Sequence, residues 1–575
     1  MKKTYRVKNK KKQVHEFRAV ANVAEYLDAL REYSDRTIFA WKEHGEAHEL
    51  TYGELLENVR CLALALTATY GENAHRVIGI IGETSANWII SYLAILSSGN
   101  VALPLDKELA HEELSKFLAV ADAAGIVYSA TFNDVMPEIA DGHPTLTNLF
   151  PMAPAENTPA AVGNAVVVSY DRMLRIGLDS DREFIPDTDT ERMAQILFTS
   201  GTTGSSKCVM LCQRNIFSVV TSACTQVYFC KEDVLVSVLP LHHTYELACT
   251  LAAANYGAKI CINDSIRHAL KNFKEYQPTG LVLVPLFVTT MYKKIQSEAK
   301  RSGKDKILAV GTKVASKLSL AGIDLSDKIF KDVREAFGGR LHKIICGGAA
   351  LSPELIATFE AFGISIYEGY GITECSPLVA VTPYWKRKPG TVGPAVPCCE
   401  IRIDGVQENA KGYISGEIQV RGDNVMLGYM NNDEANAEAF TDDGWFRTGD
   451  IGYLDKDGYL AITGREKSVI VLDNGKNVFP EEIEEYLERI DTIAESVIVG
   501  RADETTGETK LVAVIFPAYE KYPDLTESDI RCEIQKSIAA LNKKLPSFKQ
   551  IHKLEFRKTE FEKTSSRKIK RHLVK

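Results

Sequence analysis

Thr199-Ser200-Gly201-Thr202-Thr203-Gly204-Ser205-Ser206-Lys207 stands between two apolar runs, Ala194 to Phe198 before it and Val209-Met210-Leu211 after it. A stretch this rich in Gly, Ser and Thr cannot fill a core. Between two strand-like runs it bends tightly, its backbone N–H groups and hydroxyls can converge on an anion, and Lys207 adds a mobile positive charge. That is the chemistry of gripping a polyphosphate. The spacing is not that of the common P-loop, which needs Gly, four residues and then Gly-Lys-Ser/Thr. Taken by itself the stretch also reads as a flexible surface turn; motifs further along the chain decide between the two.

Outward from this stretch, strand-like and helix-like runs alternate. Val77-Ile78-Gly79-Ile80-Ile81 reads as a buried strand, Ala86 to Leu96 as a helix, Val101 to Leu105 as a strand, Glu112 to Val120 as a helix and Gly125 to Tyr128 as a strand. On the other side, Val234 to Leu239, Lys259 to Ile262 and Gly280 to Val284 are strand candidates separated by helices. This alternation predicts βαβ units, parallel sheets with helices on their faces. From about Ala130 to Thr190 the chain is rich in Pro, Asn and Asp and is expected to meander. Met291 to Arg340 is charged and helical, and Val396 to about Leu460 is rich in short strands. Beyond Gly464, Pro480-Glu481-Glu482-Ile483-Glu484 opens a helix with acidic residues in its first turn, where the helix dipole favours them. Val497-Ile498-Val499 and Leu511 to Phe516 then read as strands. The expected architecture is α/β. A large N-terminal domain of several subdomains, residues 1–464, has parallel βαβ sheets and a small β-rich subdomain. A small, mobile α+β C-terminal domain, residues 465–575, turns about a hinge at 465–468.

At 575 residues the chain is too long for one simple core. Its 45% apolar and 25% charged residues are ordinary for a globular protein. A net charge of −8 argues against nucleic acid as a general partner. No apolar stretch reaches the length of a membrane span. The basic segment from Met1 to about Arg18 lacks the apolar core of a secretory signal, so a cytoplasmic location is expected. The 12 cysteines include no zinc-site spacing, either at Cys208/Cys212 or at Cys398-Cys399, and reduced thiols are expected.

Three further motifs give the chain its chemistry: Gly347-Gly348-Ala349-Ala350, then Tyr370-Gly371-Ile372-Thr373-Glu374, then Gly444-Trp445-Phe446-Arg447-Thr448-Gly449-Asp450, followed by Gly464-Arg465-Glu466-Lys467. With the Thr199–Lys207 stretch, and with Lys568 in Thr564-Ser565-Ser566-Arg567-Lys568-Ile569, their order resembles the adenylate-forming superfamily of acyl-CoA synthetases, luciferases and peptide-synthetase adenylation domains. The resemblance runs from roughly Leu50 to the C-terminus. It implies ATP and Mg²⁺ as cofactors. Thr199, Ser200, Gly201, Thr202, Thr203, Gly204 and Lys207 would hold the β- and γ-phosphates, with Thr202 counted among the catalytic groups. Gly348, Ala349, Tyr370 and Gly371 would border the nucleotide, with Tyr370 against the adenine. Thr373 would reach the α-phosphate and Glu374 would coordinate Mg²⁺. Asp450 would accept the ribose hydroxyls, while Arg465 forks onto ribose or phosphate. Lys568 would be the catalytic cation and Lys467 the hinge. Two departures from the family pattern stand out: Ser206 and Cys208 replace the usual Pro and Gly, and Arg567 replaces the Gly before the catalytic lysine.

The resemblance also bears on the acid. Amino-acid-activating relatives carry an Asp in the region where this chain has Pro240-Leu241-His242-His243-Thr244-Tyr245, so a substrate amine has no obvious partner. His243 and Tyr245 would line an acyl pocket; a purely structural His243 is the competing reading. The helical insert from Lys293 to Phe337 looks like the long-chain fatty-acid branch, which implies a fatty acid and coenzyme A as partners. Two other readings stay open: an acyl-carrier-protein synthetase, and an inactive fatty-acid binding or uptake protein, which would need losses at Glu374, Asp450, Arg465 or the tail lysine. The basic N-terminal arm is either a solubilising tail or a peripheral contact with the inner face of an anionic membrane.

Overall fold

Val77–Ile81 is buried along its whole length and pairs in parallel with Val101–Leu105 on one side and Ala123–Tyr128 on the other. Between the first two strands runs the helix Ala86–Ser97, whose N-terminus is capped by Ser85 Oγ accepting from the Trp88 N–H. These are the expected βαβ units, seen in a computed structural model that describes residues 18–154, 158–199, 207–320, 326–408, 412–473, 477–503, 507–563 and 569–574. They belong to a nine-stranded sheet that begins at one edge with Gly428–Tyr429, Lys207–Cys212 and Met193–Thr199. The last two pair antiparallel, and Met193–Thr199 joins the parallel strands through Val101–Leu105.

An eight-stranded sheet holds Leu378–Val381, Ser365–Gly371, Lys343–Gly347, Gly280–Leu283, Val234–Ser237 and Lys259–Ile262 in that order, then Thr37–Glu43 and Glu46–Thr51. Ser365–Gly371 through Lys259–Ile262 run parallel. One buried ion pair crosses this sheet. Lys343 Nζ lies 2.5 Å from Asp233 Oδ2, each side chain under 5% exposed, and Asp233 also accepts from the Thr279 hydroxyl and the Cys230 N–H.

The segment expected to meander does not. It contains Asn148–Pro151, a fully buried strand of the nine-stranded sheet, and the helix Tyr170–Leu178, capped by Ser169. Four residues are too few to show a period, and the helix docks through Gly177, where a Cβ would sit 2.1 Å from the Cys61 carbonyl oxygen. The charged stretch after Met291 is helical as expected, in the pieces Pro285–Arg301, Asp305–Leu320, Ser326–Ile329 and Lys331–Glu335. All 12 cysteines are unbridged.

By its internal contacts the chain divides into two compact units. The larger holds residues up to Ile401 together with Val420–Phe446; the smaller holds Arg402–Gln419 and everything from Arg447 onward. In the smaller unit, helix Glu527–Asn542 starts at a reciprocal Thr526/Asp529 cap and buries Ile530, Ile534 and Ile538, one helical turn apart. They pack with Leu511, Ala513 and Ile515 of the strand Thr509–Pro517, the centre of a three-stranded sheet. No helix among the described residues is long and apolar enough to cross a membrane.

Candidate active site

The glycine-rich stretch joins two paired strands. Thr199 and Lys207 are register partners, which brings the two ends of the stretch together. Residues 200–206, and with them Ser200, Gly201, Thr202, Thr203 and Gly204, lie outside the described residues. Lys207 extends its ammonium over the ring of Tyr429, 4.5 Å from the centroid. The Tyr429 hydroxyl donates to Glu374 Oε1 at 2.9 Å. Burial, and then the neighbouring Glu374 carboxylate, push the Tyr429 phenol well above its usual range, so it stays protonated and donates.

The residues expected to border the nucleotide follow the C-terminal ends of adjacent parallel strands, the edge at which open α/β sheets bind ligands. Lys343–Gly347 is followed by Gly348, held at φ +91°, a left-handed conformation that suits glycine, and then by Ala349. Beside it, Ser365–Gly371 carries Tyr370, buried at 7% exposure. At Gly371 a Cβ would meet the Pro377 carbonyl oxygen at 1.9 Å, so only glycine lets the chain turn here into the short helix Thr373–Cys375 that presents Thr373 and Glu374.

Tyr245 reaches the same edge from helix Thr244–Ala254. Its hydroxyl is 3.2 Å from the Leu283 carbonyl and 3.1 Å from that of Ile345, and its ring lies against Gly347. The His243 ring sits 4.2 Å from that of His242. His242 is 3.5 Å from Asp106, yet burial, and then the second imidazole, hold it down at a pKa of about 3 and thus neutral. The same helix carries a buried carboxyl, Glu246. Glu246 is 1% exposed, accepts from the Ser237 hydroxyl at 2.5 Å, and is pushed by burial up to about 8.

In the smaller unit Asp450 and Arg465 face each other across the antiparallel pair Phe446–Leu454 and Leu460–Arg465, with Arg465 Nε 3.0 Å from Asp450 Oδ1. Asp450 is 4% exposed. Glu417 braces the approach to it, accepting from the Gly449 N–H and from Arg447. Lys467 is exposed, in the short turn Glu466–Ser468 directly after Arg465. Lys568 lies outside the described residues, but the chain on either side of it is fixed. Lys563 and Ile569 form a β-bridge, Lys563 pairs with Glu495 and Glu560, and Arg571 forks onto Glu484.

The donor set fits Mg²⁺. Among the described residues no cluster of three or more His, Cys, Asp or Glu side chains could hold a metal alone. Glu374 supplies one hard carboxylate, and Mg²⁺ characteristically takes one or two carboxylates and completes its octahedron with water and substrate phosphates. Tyr429 is the residue that sequence reasoning missed. Its local sequence, Leu427-Gly428-Tyr429-Met430, reads as a turn, and nothing in it points to Glu374, 55 residues away.

The sequence pattern of the AMP-binding enzyme family matches residues 27–430, and that of the AMP-binding enzyme C-terminal domain matches residues 467–575. The chain therefore belongs to the AMP-binding enzymes. Among curated proteins it is similar to the long-chain-fatty-acid–CoA ligase FadD15 of Mycobacterium bovis, 30% identical over 95% of this chain and 93% of the relative. It is also similar to the long-chain-fatty-acid–CoA ligase 1 of Homo sapiens, 30% identical over 82% of this chain and 70% of that one. Its fold matches that of ATP-bound MatB from Rhodopseudomonas palustris, with a TM-score of 0.72 over 96% of this chain and 98% of that chain at 24% identity.

Proposed function

We propose that the chain is an AMP-forming long-chain fatty-acid–CoA ligase. The observation that carries this reading is the meeting of Lys207 and Glu374 across Tyr429, a phosphate-directed cation and a metal-directed carboxylate at one sheet edge. The names of relatives about 30% identical over most of the chain support the long-chain acid and coenzyme A.

In this reading Lys207 and the hydroxyls of Ser200, Thr202 and Thr203 hold the β- and γ-phosphates of ATP. Thr199, Gly201 and Gly204 shape the loop. Gly348, Ala349, Tyr370 and Gly371 border the adenosine. Asp450 and Arg465 take the ribose. Glu374 holds Mg²⁺, which when bound neutralises phosphate charge. Thr373 and Lys568 steady the charge that develops on the α-phosphate as the fatty carboxylate attacks phosphorus and the bond to pyrophosphate breaks. The thiol of coenzyme A then attacks the acyl carbon and AMP leaves. Lys467, at the start of the C-terminal domain (residues 465–575), is the hinge that exchanges the two half-reactions. His243 and Tyr245 wall the acyl chain.

The test is pyrophosphate release with Mg-ATP over acids of increasing length, with coenzyme A and acyl carrier protein as alternative acceptors. Acyl-adenylate is expected before any thiol is added. Activity should climb from acetate toward long chains, since each buried methylene contributes about 0.8 kcal/mol. Release of ADP and phosphate, or a preference for acetate, would refute the reading. A cytoplasmic location with peripheral contact to an anionic membrane through the basic N-terminal arm belongs to the same proposal. Co-sedimentation with anionic but not zwitterionic vesicles, abolished by removing residues 1–17, is the expected result; equal binding to both would refute it.

A further inference from the structure

Lys207, Tyr429 and Glu374 come from three separate parts of the chain, yet one aromatic side chain touches the other two. The main chain of Tyr429 is held at several points. Gly428–Tyr429 pairs with Lys207–Cys212, with Val209 opposite Tyr429. The flanking Leu427 and Met430 donate to the carbonyls of Met210 and Cys208. Asn436 then clamps both polar groups of Tyr429 itself: its Oδ1 accepts from the Tyr429 N–H at 2.7 Å, and its Nδ2 donates to the Tyr429 carbonyl at 2.9 Å. The side chain is 5% exposed, so burial fixes the ring as the clamp fixes the backbone. From this frame the phenol offers two different faces. Its hydroxyl fills one of the roughly four acceptor sites of the Glu374 carboxylate and leaves the remainder directed elsewhere. Its π face attracts the Lys207 ammonium. The strand that carries Lys207 is the one Tyr429 pairs with, so carboxylate and ammonium are registered to a common piece of sheet.

We propose that Tyr429 is a positioning residue of the nucleotide site: its hydroxyl orients the Glu374 carboxylate for the magnesium of Mg-ATP, and its ring holds the Lys207 ammonium for the phosphates. The inference rests on the proposed assignment of Glu374 to the metal and of Lys207 to the phosphates. A buried aromatic with no duty toward the nucleotide would stabilise the fold but would leave the metal dependence of nucleotide binding untouched. The two functions also separate chemically. Removing only the hydroxyl should affect the metal, whereas removing the ring should affect the metal-free nucleotide as well.

The experiment is calorimetric titration of the full-length protein with ATP, in EDTA and across a series of Mg²⁺ concentrations, with melting temperatures recorded alongside. For Tyr429→Phe, the Mg²⁺ concentration that half-maximally strengthens ATP binding is expected to rise about 10-fold, the usual cost of losing a partner that orients a metal ligand. ATP binding in EDTA should stay within about twofold of the parent. For Tyr429→Leu, binding in EDTA should also weaken several-fold. Asn436→Ala keeps the phenol but loosens its main chain, and should give a smaller shift in the same direction; it decides the matter if Tyr429→Phe fails to fold. Unchanged Mg²⁺ dependence in Tyr429→Phe, while Glu374→Gln shifts it, overturns the role of Tyr429 and leaves the assignment of Glu374 standing. Unchanged Mg²⁺ dependence in Glu374→Gln overturns that assignment and this inference with it.

Discussion

Lys568→Ala is expected to slow acyl-adenylate formation by roughly 10²–10³-fold, the cost of removing one positioned charge from a transition state that depends on electrostatic stabilisation. Supplied with pre-made acyl-adenylate and coenzyme A, the same variant should form thioester at close to the parent rate. The split follows if the C-terminal domain turns about Lys467 and carries Lys568 away for the second half-reaction. Lys467→Pro should show the opposite pattern, making adenylate and transferring it poorly, because proline fixes φ and restricts the turn. Single-turnover assays of each half-reaction check both, since steady-state rates blend them. If Lys568→Ala leaves adenylation intact, Arg567 in place of glycine has moved the register. The candidate then becomes Lys570 rather than Lys563, whose ammonium is already engaged by Glu495 and Glu560.

Glu246 should give the protein a pH dependence that a glutamine variant lacks. Its folded-state pKa of about 8 lies above its ordinary 4.5, because burial disfavours the charged form. Below pH 4.5 both folded and unfolded chains carry the proton and the group is neutral to stability. Between 4.5 and 8 the unfolded chain releases the proton while the folded one retains it, so stability falls as pH rises through this window. At about 1.4 kcal/mol per pH unit, the loss approaches about 5 kcal/mol by pH 8. Glu246→Gln keeps an acceptor for the Ser237 hydroxyl and removes the titration. Thermal melts at pH 5, 6.5 and 8 should show the variant gaining on the parent as pH rises, with other titrating groups cancelling in the difference. A gap that does not change with pH would mean that Glu246 is ionised in place.

The parts of the fold that rest on local pattern were legible in the sequence. Val77–Ile81 and Val101–Leu105 are runs that only a strand buried on both faces needs, and the structure has them at those residues. Asn148–Pro151 was not legible, because it borrows its order from Ala123–Tyr128 beside it. The helix Tyr170–Leu178 likewise depends on a contact between Gly177 and Cys61 that no window of sequence contains. The site divides in the same way. The glycine-rich composition before Lys207 points to phosphate by itself, whereas Glu374 was singled out only through the resemblance of Tyr370-Gly371-Ile372-Thr373-Glu374 to the adenylate-forming superfamily. Tyr429 touches partners 55 and 222 residues earlier in the chain, and Asp233 finds Lys343 across 110 residues. Contacts at such separations are products of topology.

The double attachment of Tyr245 bears on how substrate range can evolve in this chain. Its hydroxyl reaches main-chain carbonyls of two neighbouring strands, and its ring rests on the glycine that ends one of them. A mutation that shortened this side chain to admit a bulkier acid would loosen the sheet edge that presents the residues proposed for the nucleotide. Selection for a wider substrate would therefore be opposed at Tyr245 by selection for a working ATP site. Divergence in acid preference has an easier route through wall positions that hold no strand together, which makes Tyr245 a poor first target for library design despite the acyl-wall role proposed for it.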